Sequence, residues 1–181
     1  TIVNNHAAGG SSGVALVTGS ASITNSIIAG NLGAFQQDVG TFGGAQASIE
    51  NSILGDAVKT RSESIGALSL NDSNIVATSD VRSIAVATIL DPILRDNGCV
   101  TFAGAPPTRR CVKTHALVAN SPAFETAEPS RCSEFDQIGQ AREFDDSFFA
   151  ITQSKNGAVA VLPLGDEREC DIGAVQFTSF D

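Results

Sequence analysis

The stretch "ITNSIIAGN", residues 23–31, sets a polar Asn-Ser pair before two aliphatic residues and a small, turn-forming end. The same shape returns as "IENSILGD" at 49–56 and "NDSNIVATS" at 71–79, and the chain opens on a shortened form, "TIVNN". The aliphatic pairs are Ile2-Val3, Ile27-Ile28, Ile53-Leu54 and Ile75-Val76, standing 25, 26 and 22 apart. A period of roughly 20–50 residues marks stacked units. Each unit here reads as strand, because Ile and Val fit a pleated surface and no clear helical stripe runs through the first half. One unit cannot bury its apolar face alone, so stability has to come from its neighbours. The spacing therefore predicts an all-β chain whose residues 1–90 are coils of a parallel β-solenoid. A leucine-rich repeat would need leucine at fixed short offsets, and Ile, Val and Ala dominate instead. Asn25, Asn51 and Asn74 stand just before the aliphatic pairs and are expected to stack as a ladder at one corner, each amide bonding to the next. "SIAVATIL", Ser83 to Leu90, reads as the last strand of the regular stack.

The composition agrees. The 181 residues include 17 Gly and no Met, Trp or Tyr, so the core must be built from Ile, Leu and Val, with short strands and tight turns. A net charge of −9 argues against nucleic acid and anionic membrane surfaces, which call for Lys and Arg. No run approaches the ~18 apolar residues of a membrane-spanning helix. Neither an initiating Met nor a signal peptide is present, and the strand-like opening reads as part of a longer precursor. The four cysteines, Cys99, Cys111, Cys132 and Cys170, include no C-x-x-C pair, which disfavours zinc-ribbon and redox sites. Four cysteines allow three pairings, and two disulfides in an exported protein is the preferred reading.

After Leu90 the repeat stops, and "DPILRDNGC", "THALVANSPAFE", "CSEFDQIGQAR" and "ECDIGAVQF" follow in order. This ordered set, covering Ile89 to Phe177, resembles the C-terminal region of bacterial right-handed parallel β-helix proteins of the choice-of-anchor Q type. Ile138 departs from that pattern, which has arginine there, and extra residues lie between Cys99 and Cys111. The resemblance implies a right-handed, pectin lyase-like β-helix over 1–90 and an irregular capping region over 91–181. It implies cap-motif roles for Asp136, Gln137, Gly139, Arg142, Asp171 and Gly173. It also implies disulfides Cys99–Cys111 and Cys132–Cys170, the second tying the last strand to the "DQIGQAR" loop.

Chemistry is sparse. β-Helix lyases hold calcium with carboxylates on neighbouring coils, and Asp56 and Asp80, 24 apart, or Glu50 and Asp72, 22 apart, have that spacing, with Arg61 and Arg82 nearby. Ordinary solvated charge explains these residues at least as well. His6 and His115 belong to no catalytic motif, and His115 reads as a packed residue bonding backbone. No nucleophile elbow, Walker loop, dinucleotide fingerprint or zinc motif occurs. The expectation is a non-enzymatic structural or adhesive module, exported to the cell surface, outer membrane or matrix. It would carry no cofactor beyond a calcium ion at Asp56 and Asp80. Other copies, a larger surface assembly or polysaccharide would be its partners. Two alternatives stand beside it: the distal part of a polysaccharide lyase or hydrolase with catalytic coils upstream, and a calcium-dependent carbohydrate-binding module.

Overall fold

A computed structural model describes residues 1–96, 99–102, 108–111, 113–124, 126–132, 149–153, 159–163 and 170–172. The first part of the chain contributes β1 (Ile2–Val3), β2 (Val14–Leu16), β3 (Ser20–Thr24), β4 (Ile27–Ala29), β5 (Val39–Thr41), β6 (Gln46–Glu50) and β7 (Ile53–Leu54). A five-residue helix α1 (Arg61–Ile65) and β8 (Ile75–Val76) follow. Later come β9 (Cys99–Phe102), β10 (Thr108–Cys111), β11 (Phe149–Gln153) and β12 (Val159–Pro163), which form two antiparallel pairs, β9 with β10 and β11 with β12. The architecture is mostly strand, in small sheets.

The repeat is expressed as parallel pairing. β1, β4, β7 and β8 form one four-stranded sheet in that order, and β2 with β5 and β3 with β6 form two parallel pairs beside it. Ile2 faces Ile28, Ile27 faces Ile53, and Ile53 faces Ile75, so each strand stands 26, 26 and then 22 positions beyond its partner. The first advance is one longer than the sequence spacing of aliphatic pairs suggests, because Ile2 aligns with the second isoleucine of the next repeat rather than the first.

Alternation within these short strands divides the core in two. Ile28, Leu54 and, more exposed, Ile2 and Val76 point toward Val39, Ile49 and Ile65, between the three parallel sheets. Val3, Ile27, Ala29, Ile53 and Ala77 point the other way. There they meet Val86, Ile89, Leu90, Leu117, Ala123, Ala127, Cys170 and Ile172. The four-stranded sheet is thus apolar on both faces, as parallel strands buried on both sides must be. The described C-terminal residues cover its outer face across all four strands. A disulfide between Cys132 and Cys170, 38 residues apart, fastens that cover.

Gly55 follows β7 with φ +92°, and a Cβ there would lie 2.5 Å from Thr78 Cγ2. Glycine is required at that turn both by the backbone and by the close approach of the next repeat.

Two sequence expectations need correction here. Ser83 to Leu90 is not a strand: the amides of Val81, Arg82 and Ser83 all donate to the Thr78 carbonyl, Ser83 takes φ +50°, and Val86–Thr88 make a 3₁₀ turn. That turn points Val86, Ile89 and Leu90 into the outer core. The first half is also not free of helix. Thr60 caps α1, its hydroxyl accepting from the Glu63 amide while the Glu63 carboxylate accepts from the Thr60 amide at 2.8 Å, a reciprocal capping box.

Ile53, fully buried between two neighbouring strands, should be the most sensitive position in the sheet. Ile53→Ala is expected to lower unfolding free energy by about 2–5 kcal/mol. Val58→Ser, at a residue 79% exposed, should change it by less than about 0.5 kcal/mol. Urea denaturation of the two variants beside the parent checks both values.

Candidate functional site

The column of asparagines is not what the repeat suggests. The strand register puts Ser26, Ser52 and Asn74 in one column and Asn25, Asn51 and Ser73 in the next. In the first, the Ser26 amide donates to Ser52 Oγ at 3.1 Å and the Ser52 amide to Asn74 Oδ1 at 3.2 Å. In the second, the Asn51 amide donates to Ser73 Oγ at 3.1 Å. The ladder is therefore side-chain oxygen to backbone amide, with serine and asparagine interchangeable, because a hydroxyl or an amide oxygen can each take the orphan N–H at the bend.

Asn25 and Asn51 do other work. Both adopt left-handed backbone, φ 50° and 46°, which asparagine tolerates better than most side chains. Their amides turn outward to the C-terminal cover. Asn25 Oδ1 accepts from the Glu128 amide at 2.7 Å while its Nδ2 donates to the Glu128 carbonyl at 3.1 Å. Asn51 Nδ2 donates to the Glu128 carboxylate at 3.4 Å. Arg131 adds a hydrogen bond to Thr24 Oγ1 and an ion pair to Glu50.

Two of the candidate carboxylates, Asp56 and Asp80, bond backbone amides. Asp56 Oδ1 accepts from the Val86 amide at 3.3 Å, and Asp80 Oδ1 accepts from the Arg61 amide at 2.8 Å, at the start of α1. Arg61 donates its guanidinium to the Gly66 and Leu68 carbonyls. Asp72 and Arg82 are exposed. Among the described residues no three His, Cys, Asp or Glu side chains cluster as metal ligands do. His115 Nδ1 pairs with the Asp91 carbonyl at 2.8 Å, the backbone partner expected of it, and His6 is exposed beside Leu32.

Of the cap-motif residues, Asp171 is buried next to Cys170, while Asp136, Gln137, Gly139, Arg142 and Gly173 lie outside the described residues. The side chains of Cys99 and Cys111 also lie outside them, though the β9–β10 register sets the two Cα atoms opposite one another.

The densest polar site was not visible from motifs. Asn31, Asp38, Lys59 and Ser64 are all buried, at 4% exposure or less. They come from the loop after β4, the residue before β5, the loop after β7, and α1. Asp38 Oδ1 accepts from the Asn31 amide at 3.1 Å and from Asn31 Nδ2 at 2.9 Å. Asp38 Oδ2 accepts from Ser64 Oγ at 2.7 Å and from Lys59 Nζ at 3.3 Å. Lys59 Nζ also donates to the Asn31 backbone carbonyl. Asn31 Nδ2 donates to the Ile2 carbonyl at 3.1 Å, and its Oδ1 accepts from the Asn5 amide at 3.1 Å and Asn5 Nδ2 at 3.0 Å. The carboxylate thus meets four donors, and the network ties three successive repeats together. The sequence carried one faint signal: Lys59 is the only lysine before Lys113, and it stands within the run of repeats.

Comparison with protein-family models, with curated proteins and with solved structures finds no match. Among the described residues no helix is long and apolar enough to cross a membrane.

Three surface carboxylates are held below their ordinary range. The Arg61 backbone amide lowers Asp80; the Thr60 amide and hydroxyl lower Glu63; the Arg95 side chain, then the Ile93 amide, lower Asp91. A depressed folded-state pKa adds stability above the unfolded value and loses it as pH falls through the folded one. The urea midpoint should therefore be level near neutrality and fall below about pH 4. Asp80→Asn or Glu63→Gln should make that acid fall shallower; midpoints across the acid range that fall in parallel for parent and variants would contradict it.

Proposed function

We propose that this chain is a segment of an exported right-handed parallel β-helix protein, similar to the choice-of-anchor Q type, and that it serves as a non-enzymatic structural or adhesive module at the cell surface or in the matrix. The observation carrying this reading is the in-register parallel pairing of one repeat on the next at an advance of about 26 residues. Such pairing makes a rigid, extendable scaffold. Two further features support it. The Cys132–Cys170 disulfide suits an oxidising compartment. The carboxylates with coil-like spacing, Asp56 and Asp80, each hold a backbone amide through one oxygen, a structural use of these side chains. Other copies, a larger surface assembly or polysaccharide are the partners this reading implies.

Incubation with acidic and neutral polysaccharides, with and without calcium, tests the reading. No new reducing ends or unsaturated sugars should form, and the melting temperature should be the same in both conditions. Cleavage would place the chain among the β-helix enzymes, and a calcium-dependent rise in melting temperature would make it a calcium-dependent binding module. A non-reducing peptide map of protein secreted into an oxidising compartment should show Cys99 joined to Cys111 beside the Cys132–Cys170 pair. A free thiol at Cys99 would count against export.

A further inference from the structure

A buried ion pair stabilises a fold little, since desolvation offsets most of its attraction. Lys59 and Asp38 are nevertheless sunk at 4% and 0% side-chain exposure, in direct contact at 3.3 Å, with the buried Asn31 carboxamide bonded to the same carboxylate. The arrangement around Asn31 has the parts of an acyl-transfer site.

A primary amine, Lys59 Nζ, is the nucleophile, held against Asn31 by its bond to that residue's backbone carbonyl. The Asp38 carboxylate touches both the nucleophile, through Oδ2 at 3.3 Å, and the leaving group, through Oδ1 at 2.9 Å from Asn31 Nδ2. One carboxylate bridging the two nitrogens is what moving a proton from one to the other requires. The Asn31 side-chain oxygen already receives two N–H donors from Asn5, at 3.1 and 3.0 Å, the distances of an oxyanion hole. Ser64 Oγ, 2.7 Å from Asp38 Oδ2, fixes the carboxylate's orientation. Burial keeps water from competing with the amine or reversing the product.

We propose that Lys59 and Asn31 join in an intramolecular amide cross-link between their side chains, with Asp38 as the proton carrier. Asp38 takes a proton from the Lys59 ammonium, and the neutral amine adds to Asn31 Cγ, placing negative charge on Oδ1. Asp38 returns the proton to Nδ2, the Cγ–Nδ2 bond breaks, and ammonia departs. The surplus proton on the new amide nitrogen passes to Asp38 and leaves with ammonia as ammonium. No oxidant or cofactor takes part. The bond would join the second repeat covalently to the third, across 28 residues of chain.

Mass spectrometry of the folded chain, after reduction of its disulfides, decides the matter. The intact mass should be short by one ammonia, trypsin should not cleave after Lys59, and digestion after glutamate, which separates residues 1–50 from 51–63, should leave a branched peptide joining Asn31 to Lys59. Lys59→Met and Asp38→Asn should both restore the full mass. A full mass for the folded parent overturns the proposal, and this holds even if neither variant folds. Loss of ammonia without a branched peptide is cyclisation of an asparagine and overturns it too. Loss of one water with a branch at Asp38 overturns the assignment to Asn31. A cross-link that persists in Asp38→Asn removes Asp38 from the reaction.

Discussion

The four-stranded sheet at the centre of the repeats depends on strands of two or three residues pairing in parallel and in register. β1, β7 and β8 have two residues each. A strand that short has almost no hydrogen-bonding capacity of its own, and it persists because both of its faces are buried. The runs that make it, Ile27-Ile28-Ala29 and Ile53-Leu54, are continuously apolar rather than alternating. A one-residue slip would exchange the two faces, and both partner surfaces are already filled with side chains shaped to the present register. The inner face has the other parallel pairs, and the outer face has the C-terminal cover. Neither face could be left to water without exposing a row of isoleucines.

The polar groups at the corners carry the same register. A bend between strands leaves backbone amides without a ladder partner, and an unpaired buried amide is costly. Side-chain oxygens meet them here: Ser52 Oγ, Ser73 Oγ and Asn74 Oδ1 from the next repeat at one corner, the Asp38 carboxylate at another. Slipping one repeat against its neighbour would break the bonds between repeats as well as the apolar contacts. At the Asp38 corner the arrangement is charged as well as buried, so the loops after β4 and β7 are bound to one carboxylate. Truncating either ionic partner there would leave the other charge stranded.

The sequence made the stacked β-strands legible because the apolar pairs recur at nearly constant spacing, and spacing is what parallel pairing conserves. It did not make the register legible to the residue. Ile2-Val3 looks like Ile27-Ile28, yet pairs one position later, since Thr1 rather than Ile2 stands opposite Ile27 when Val3 meets Ala29. The asparagines misled for a related reason. Asn25 and Asn51 precede their aliphatic pair by two residues and Asn74 by one, so similar motifs occupy different columns. Asn25 also has its bonding partner in Glu128, 103 residues away, which no local pattern announces. The Asn31–Asp38–Lys59–Ser64 cluster was hidden because its members share no motif and become neighbours only once the repeats are stacked. The Thr60–Glu63 capping box was readable, but five residues are too few for a helical stripe to show.

The shortening of the advance from 26 to 22 coincides with a change of structure. Where a third strand would extend the β2–β5 pair, the chain forms α1 instead. The amides of Gln37 and Asp38, just before β5, donate to the carbonyls of Glu63 and Ser64 in α1, at 2.7 and 2.9 Å. A helix can offer its terminal carbonyls to a strand edge, but its far side presents side chains and no ladder. α1 therefore accepts the bonds of the two residues leading into β5 and passes none on as a strand would. The same helix supplies Ser64 to Asp38 and receives Asp80 at its first amide, so ending this pair and closing the buried polar corner are achieved by one segment. Among the described residues only the four-stranded sheet continues past it, to β8, where Ile75 and Ala77 still pack into the outer core.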